Sequence, residues 1–411
     1  MNCRFCHSHL EHTFLDLGFA PPSNAYLDEA DLIKPELYYP LRLKVCNQCW
    51  LVQTEDYAQA DTFFSADYAY FSSTSSGWLK HAESYVRTIT NQLDLNERSL
   101  VVEIASNDGY LLKNFVESGI PCFGIEPTLS TAIVAENLGI PVIPKFFCLT
   151  LAQQLVSEGK QVDLIIGNNV YAHVPDINDF TSGMKTILKP KGTITLEFPH
   201  LMQLIQQTQF DTVYHEHFSY LSLYTVSQVF RRAGLKVYDV KELETHGGSL
   251  RVYGCHQNDT RVVNDSVQSL LNKEDLCGLF SLNVYETFQA RADYVKNDLL
   301  AFLLTQKKEG KSVMAYGAAA KGNTLLNYAG IKSDLLPVVC DAALSKQGRY
   351  LPGSHIPIAK PEMLREMKPE IVLIIPWNIA EEVASQHSYI QEWGGKFVIA
   401  VPRLEMLEDK L

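Results

Sequence analysis

The chain has no apolar run long enough to cross a bilayer. Its longest, such as "EIVLIIP" at 370–376, fall far short of the about 20 residues that a membrane helix needs. No N-terminal stretch joins basic residues to a long apolar core, so no secretory leader is expected and the chain reads as cytoplasmic. Basic residues are scarce: 35 Lys and Arg stand against 47 Asp and Glu, for a net charge of -12. No basic run gathers them on one stretch, so neither a nucleic acid nor a membrane surface is an expected partner. Short-period repeats and low-complexity tracts are absent, which leaves ordinary packed domains rather than a solenoid or a linker.

What the chain does have is bulk. With 411 residues, 46% hydrophobic and 20% charged, it can bury two or three cores. Five of its nine cysteines, Cys122, Cys148, Cys255, Cys277 and Cys340, are scattered among apolar residues and read as buried free thiols of a reducing compartment. The other four form two C-x-x-C pairs, Cys3 with Cys6 and Cys46 with Cys49. Each pair offers two thiolates from one tight turn, and together they complete a tetrahedral set for structural zinc. A redox role is the competitor, but duplication of the motif favours metal. His7, His9 and His12 are spare candidates that read as solvated.

Three domains are expected: a zinc-binding module at 1–75, a central α/β domain at 76–260 and a smaller Rossmann-like α/β domain at 261–411. In the central part "VVEIASNDGYLL", "FGIEP", "DLIIGNN" and "GTITLEFP" are short apolar strands alternating with helix-length segments, the pattern of a parallel sheet. "LKVYDVKEL" and "GGSLRVYGCH" read as an antiparallel pair at its edge. "SVMAYGAAAKGNTLLNYAG" opens the third domain as strand, turn and helix.

The turn "EIASNDG" places small or left-handed-tolerant residues at Ala105, Asn107 and Gly109, after the acidic Glu103. A dinucleotide would need G-x-G-x-x-G here, and Asp108 would face its phosphates. S-adenosylmethionine carries a sulfonium and an amino group and no phosphate, so the acidic turn suits it better. Glu126, ending the next strand, is placed for ribose hydroxyls, and Asn168 and Asn169 leave a third strand at the same edge. Tyr171 and His173 follow on the rim. In the third domain the turn "GAAAKGNT" makes Gly317, Lys321 and Asn323 candidates for a diphosphate cradle at a helix start. It lacks the G-K-[ST] order of a phosphate-binding P-loop.

With "CRFC", "CNQCWLVQ", "YFSSTS", "EIASNDGYLL", "YAHVPDINDF", "EFPH", "YHEHFSYLS", "HGGSLRVY", "YGAAAKGNTLLNY" and "CDAALSKQGRYLPG" in this order, the sequence resembles the S-adenosylmethionine-dependent C-methyltransferases that act on nucleotide-linked 4-keto-deoxyhexoses. The resemblance covers essentially the whole chain. It departs at Ala105, where such enzymes more often carry glycine. It implies a class I methyltransferase core between a zinc module and a Rossmann-like domain, with the sugar nucleotide held between domains. It also implies His217 as catalytic base, supported by Tyr214 and Glu216, with Tyr68 and His173 reaching into the same cleft.

The chemistry asks for such groups. A neutral imidazole can take the proton acidified by an adjacent ketone, and donors from tyrosine or a second histidine can hold the enolate. A metal site at His215 and His217 is a poor alternative because two further ligands are missing nearby. An NAD-dependent sugar-nucleotide oxidoreductase, with Asp341 as the ribose acid, a zinc-ribbon nucleic-acid methyltransferase and a non-catalytic scaffold are the rival readings. The nucleotide, the sugar, the choice of C3 or C5 and the oligomeric state are open, C3 being the commoner expectation for such enzymes.

Overall fold

The computed structural model describes residues 1–55, 71–74 and 76–407; Tyr68 lies outside them. Among the described residues seventeen strands, numbered in chain order, build three sheets. β1 (His12–Ala20), β2 (Tyr39–Val45) and β3 (Val52–Thr54) make an antiparallel meander whose fourth strand, β9 (Ser219–Tyr220), comes from far along the chain. Val52 pairs with Tyr220 and Gln53 with Ser219. The segment "YHEHFSY" therefore runs directly into the sheet of the zinc-bearing module.

The central sheet has the order β10-β11-β8-β7-β4-β5-β6. β4 (Val101–Ile104), β5 (Cys122–Ile125), β6 (Val142–Ile143), β7 (Val162–Asn168) and β8 (Leu188–Pro199) are parallel. β10 (Leu235–Leu243) and β11 (Ser249–His256) form the antiparallel edge pair that alternation suggests. The parallel strands are apolar nearly throughout because helices cover both faces, for instance Ser76–Leu93 on one and Ile177–Ile187 on the other. The helix Asp265–Leu276, beyond residue 260, still packs on this sheet through Val267 and Leu270.

The third sheet, β14-β13-β12-β15-β16-β17, joins β12 (Val313–Tyr316), β13 (Val339–Cys340), β14 (Ile358–Ala359), β15 (Ile371–Ile374) and β16 (Lys396–Ile399) in parallel, with β17 (Glu405–Met406) antiparallel at one edge. Its core is continuous with that of the first module: Phe14 stacks on Phe288 at 4.7 Å and Trp50 on Tyr285 at 6.1 Å.

Strand order reverses between β4 and β7 in the central sheet, and between β12 and β15 in the third. Open α/β sheets bind ligands beyond the carboxyl ends of the strands at such points. Here both openings face one cavity. Among the described residues no helix is long and apolar enough to cross a membrane.

Candidate active site

The cavity has a volume of about 930 Å3, toward the upper end of ordinary ligand pockets, and it is walled by all three parts of the chain. The first module supplies Asn24 and Tyr26, the central domain Asn107, Glu126, Asn168, Asn169, His173, Tyr214, Glu216, His217 and His246, and the third Lys321, Lys346 and Asn378.

At one end the turn after β4 takes left-handed backbone at Ala105 (φ 58), Asn107 (φ 50) and Gly109 (φ 76), the three alternate positions singled out by residue type. The Asn107 amide donates to Glu126 Oε2 at 2.9 Å, and its side chain accepts from the Ser72 amide. Asp108 turns away from the cavity to accept from Ser73. Gly109 does not line the cavity; a side chain there would strike Ala135 and Ile140 of the neighbouring helix and loop. Glu103 lies beneath the turn, bonded to Tyr110. Its carboxyl is pushed well above the usual range by burial and by the nearby charges of Asp108 and Glu126. Glu103 Oε2, Asp108 Oδ1 and both polar atoms of Asn168 have no hydrogen-bond partner among the described residues. A ligand bringing hydrogen-bonding hydroxyls fits this end, where Glu126 and the unpartnered Asn168 side chain line the cavity, as S-adenosylmethionine would.

Ala105 bears the cost of that turn. Left-handed backbone costs an L-residue about 1–2 kcal/mol, against up to ~1 kcal/mol of extra chain entropy lost by glycine. Ala105→Gly is therefore expected to raise the melting temperature by one or two degrees and to leave methyl-donor affinity equal or tighter. Differential scanning fluorimetry with a donor titration checks both, and a clear fall in melting temperature would show that the methyl group packs usefully.

In the middle of the cavity two imidazoles meet. His173 and His217 have ring centroids 4.6 Å apart, and Tyr214 lies 4.0 Å from His217. His217 Nδ1 donates to the Thr212 carbonyl at 3.2 Å and His173 Nδ1 to the Glu216 carbonyl at 2.9 Å. Those bonds place each neutral ring's proton on Nδ1, and in His217 they leave the Nε2 lone pair to act as a base. Burial and the neighbouring His173 hold His217 well below the usual imidazole range, and burial brings His173 down to about 4. Both rings are neutral near pH 7. The Glu216 carboxylate faces Asn24, whose amide reaches both oxygens at 2.9 Å. His215 points away toward the Tyr39 carbonyl, 3.3 Å off. The loop itself is held by Thr324 on the Val213 carbonyl and by Trp377 Nε1 on Asp211.

At the far end Lys321 lies against the Trp377 ring and donates to Asn378 at 2.6 Å. Burial pulls its ammonium down and the Asp211 charge resists; Asp211 itself is raised to about 6 by burial. Asn323 is turned off the cavity, donating to the Ser23 carbonyl, and Gly317 lies behind the wall under Pro376. Tyr171 also departs from the rim position read in the sequence. It is fully buried, its hydroxyl bonded to Thr181, because the short helical turn at 171–173 points it into the core. Asp341 accepts from the Ala318 and Ala343 amides as Glu126 does from those of Asn107 and Thr128, but unlike Glu126 it does not line the cavity.

Sequence reasoning missed His246, Trp78, Tyr26 and Lys346 in the wall. The "HGG" triplet was the available signal for His246, since two glycines after a histidine mark a tight turn; the others carried none.

Away from the cavity, the four cysteine sulfurs lie within 4.8 Å of one another, and no other His, Cys, Asp or Glu group among the described residues is arranged to hold a metal. Cys3 and Cys49 are 3.6 Å apart and Cys6 and Cys46 3.5 Å. A tetrahedron with Zn–S bonds of about 2.3 Å has sulfur–sulfur edges of about 3.8 Å, so the set fits zinc. Hydrogen bonds from Cys46 and Cys49 pull the Cys3 thiol down strongly, and the same contacts push the Cys46 and Cys49 thiols up.

A seven-stranded sheet with its acid-lined turn at the strand reversal defines a class I methyltransferase core. Family models agree with that architecture piece by piece: a zinc binding domain matches residues 3–64, a methyltransferase domain 78–240 and a C-methyltransferase C-terminal domain 244–402. The C-methyltransferase NovU of Streptomyces niveus is 31% identical over 400 residues, covering 97% of this chain and 95% of NovU. The chain belongs to the C-methyltransferase family. It is an S-adenosylmethionine-dependent methyltransferase whose N-terminal domain binds zinc. Solved structures with partial likeness include an S-adenosylmethionine-dependent methyltransferase of Clostridium acetobutylicum (10% identity, 43% of this chain and 92% of that one, TM-score 0.35) and magnesium protoporphyrin IX methyltransferase of Synechocystis (13%, 44% and 83%, TM-score 0.34).

Proposed function

We propose that the enzyme C-methylates a nucleotide-linked 4-keto-deoxyhexose, at the carbon beside the ketone and with C3 as the position, in the making of a branched sugar. The observation that carries this reading is the orientation of His217. Its Nδ1 proton is committed to Thr212, so its Nε2 lone pair serves as a base in a cavity that also holds the acid-lined end and Lys321. In this reading Glu126, Asn168 and Asn169 hold the methyl donor with Asn107, over Glu103 and Gly109, and the donor supplies the electrophilic methyl group. His217 takes the proton; Tyr214 packs against the base. His173 lines the cleft beside it, and Glu216 fixes Asn24 at the edge of the sugar site. Tyr68 belongs to the same set by its motif. Lys321 faces the diphosphate, while Gly317 and Asn323 shape the helix start that carries it. The working division is a zinc-binding module at 1–75, a methyl-donor domain at 76–260 and a sugar-nucleotide domain at 261–411.

A base held this far down is neutral but weak, and a substrate carrying diphosphate supplies the negative charge that raises it toward a useful range. The acid limb of the proton-abstraction rate is expected below pH 6.5, because only below its own depressed pKa does His217 become protonated. A limb at or above pH 6.5 in the free enzyme's profile would point to another base. The reading as a whole is tested by incubation with the methyl donor and a panel of keto-deoxysugar nucleotides. Mass spectrometry should show one product heavier by a methylene, and carbon-13 labelling should place the new methyl on carbon; transfer to oxygen or to none of the panel refutes it.

A further inference from the structure

The "HGGS" turn between β10 and β11 puts a third imidazole into the cavity, one that the roles above do not use. His246 has φ 55, a left-handed conformation that a β-carbon resists and that persists where surrounding structure enforces it. The enforcement is visible. Gly247 and Gly248 are also at positive φ, and side chains there would strike Trp377 and Gln203. The turn is wedged between the central and third domains, and Gln209 binds the Gly247 carbonyl at 2.7 Å. The ring is flanked by Trp78, with centroids 5.3 Å apart, and lines the cavity.

Its tautomer is set as well. Asn169 Nδ2 lies 3.2 Å from His246 Nε2, and an amide nitrogen can only donate, so Nε2 accepts and the ring proton sits on Nδ1. Burial and the Lys321 charge hold the ring neutral, its pKa brought to about 4. Its orientation is thus opposite in consequence to that of His217: both carry the proton on Nδ1, but in His217 that proton is spent on the backbone and Nε2 is free, whereas in His246 Nε2 is spent and Nδ1–H is left to donate. Lys321 acts electrostatically on both rings, so the donor, the cation and the base share one region of the cavity.

We propose that His246 is a further catalytic residue, donating its Nδ1–H to the substrate oxygen that gains negative charge as His217 removes the neighbouring proton. The proton that His217 takes leaves its electron pair in the new carbon–carbon double bond, and the carbonyl π pair moves onto oxygen, where His246 meets it. The role rests on the keto-sugar reading given above. A neutral donor of this kind, pre-aligned and out of bulk water, is the arrangement that favours an enolate over the ketone.

The test uses the full-length zinc-loaded enzyme with S-adenosylhomocysteine in the donor site, a keto-deoxysugar nucleotide and deuterated water. Exchange of the proton beside the ketone is followed by NMR. His246→Asn tolerates left-handed backbone and His246→Gly relieves it, so both variants should fold, with melting temperatures near or above that of the parent. Exchange should fall at least tenfold in both, with the dissociation constant for S-adenosylmethionine changed less than threefold. Parental exchange rates in either folded variant overturn the proposal, and so does a defect confined to S-adenosylmethionine binding, which would make His246 a support for Asn169. If the parent enzyme itself exchanges no proton with any keto sugar, the keto-sugar reading fails first and this role falls with it; a parent that exchanges while the variants keep pace refutes the His246 role alone.

Discussion

His217→Ala should lose about 100-fold to 10,000-fold in the rate at which deuterium replaces the proton beside the substrate ketone, the contribution usual for a positioned general base. Binding of the methyl donor should be unchanged, because its end of the cavity is built from the turns after β4, β5 and β7. The loss follows from the lone pair. The other imidazole beside His217, that of His173, has its ring 4.6 Å away and is anchored to a different carbonyl. His173→Ala is therefore expected to slow exchange less than His217→Ala. If the two variants are equally impaired, the pair acts as a unit; if His217→Ala exchanges at the parental rate, the base has been misassigned.

Loss of zinc should also slow the reaction, though the metal site is not in the cavity. Metal binding to such four-ligand sites contributes about 10–16 kcal/mol of apparent folding free energy in small domains. What that free energy holds in place here is specific. Arg4, inside the first C-x-x-C, donates to the Pro175 carbonyl at 2.9 Å and the Thr54 carbonyl at 3.1 Å and lies over the Phe218 ring. Asn178 reaches back to the Arg4 and Phe5 carbonyls, each at 3.0 Å. One zinc turn thus braces both the loop after His173 and the strand after His217. Cys49→Ser or chelation is expected to lower the zinc content, to reduce proton exchange by more than tenfold and to leave S-adenosylmethionine binding within a few-fold of the parent. Metal analysis, exchange NMR and calorimetry separate these effects. Full exchange in zinc-free protein would show that the module is an independent appendage.

Much of this arrangement could be read from residue order. Two C-x-x-C pairs have few uses, and ligand-bearing turns in parallel sheets follow from apolar strands ending in Asn, Glu or Asp. Thus Asn107, Glu126, Asn168 and Asn169 lie where strand ends place them, around one cavity. What stayed hidden depends on contacts between distant segments. A two-residue strand such as β9 has too short a pattern to announce its partner, so the joining of "YHEHFSY" to the zinc module was invisible. Asn323 and Lys321 sit two positions apart on one helix, and only the docking of Ser23 against one and of Trp377 and Asn378 against the other decides which faces the cavity. Tyr171 was misplaced for a similar reason: a helical turn of three residues rotates neighbours by about 100° to 120° each, which sends Tyr171 inward while His173 stays on the wall.

The pairing of β9 with β3 also sets an order for the chain's self-assembly. β1 to β3 and the four cysteines all lie within the first 54 residues and can come together through local contacts. β9 can join them only after residues 55–218, most of the methyltransferase core, have closed into a loop whose ends meet. Closing so long a loop is entropically expensive until the intervening core has condensed and brought its ends together. The base-bearing segment is then expected to be seated after the intervening core, and a chain caught before that step would hold its zinc and its donor-binding turns while still lacking the geometry for proton abstraction.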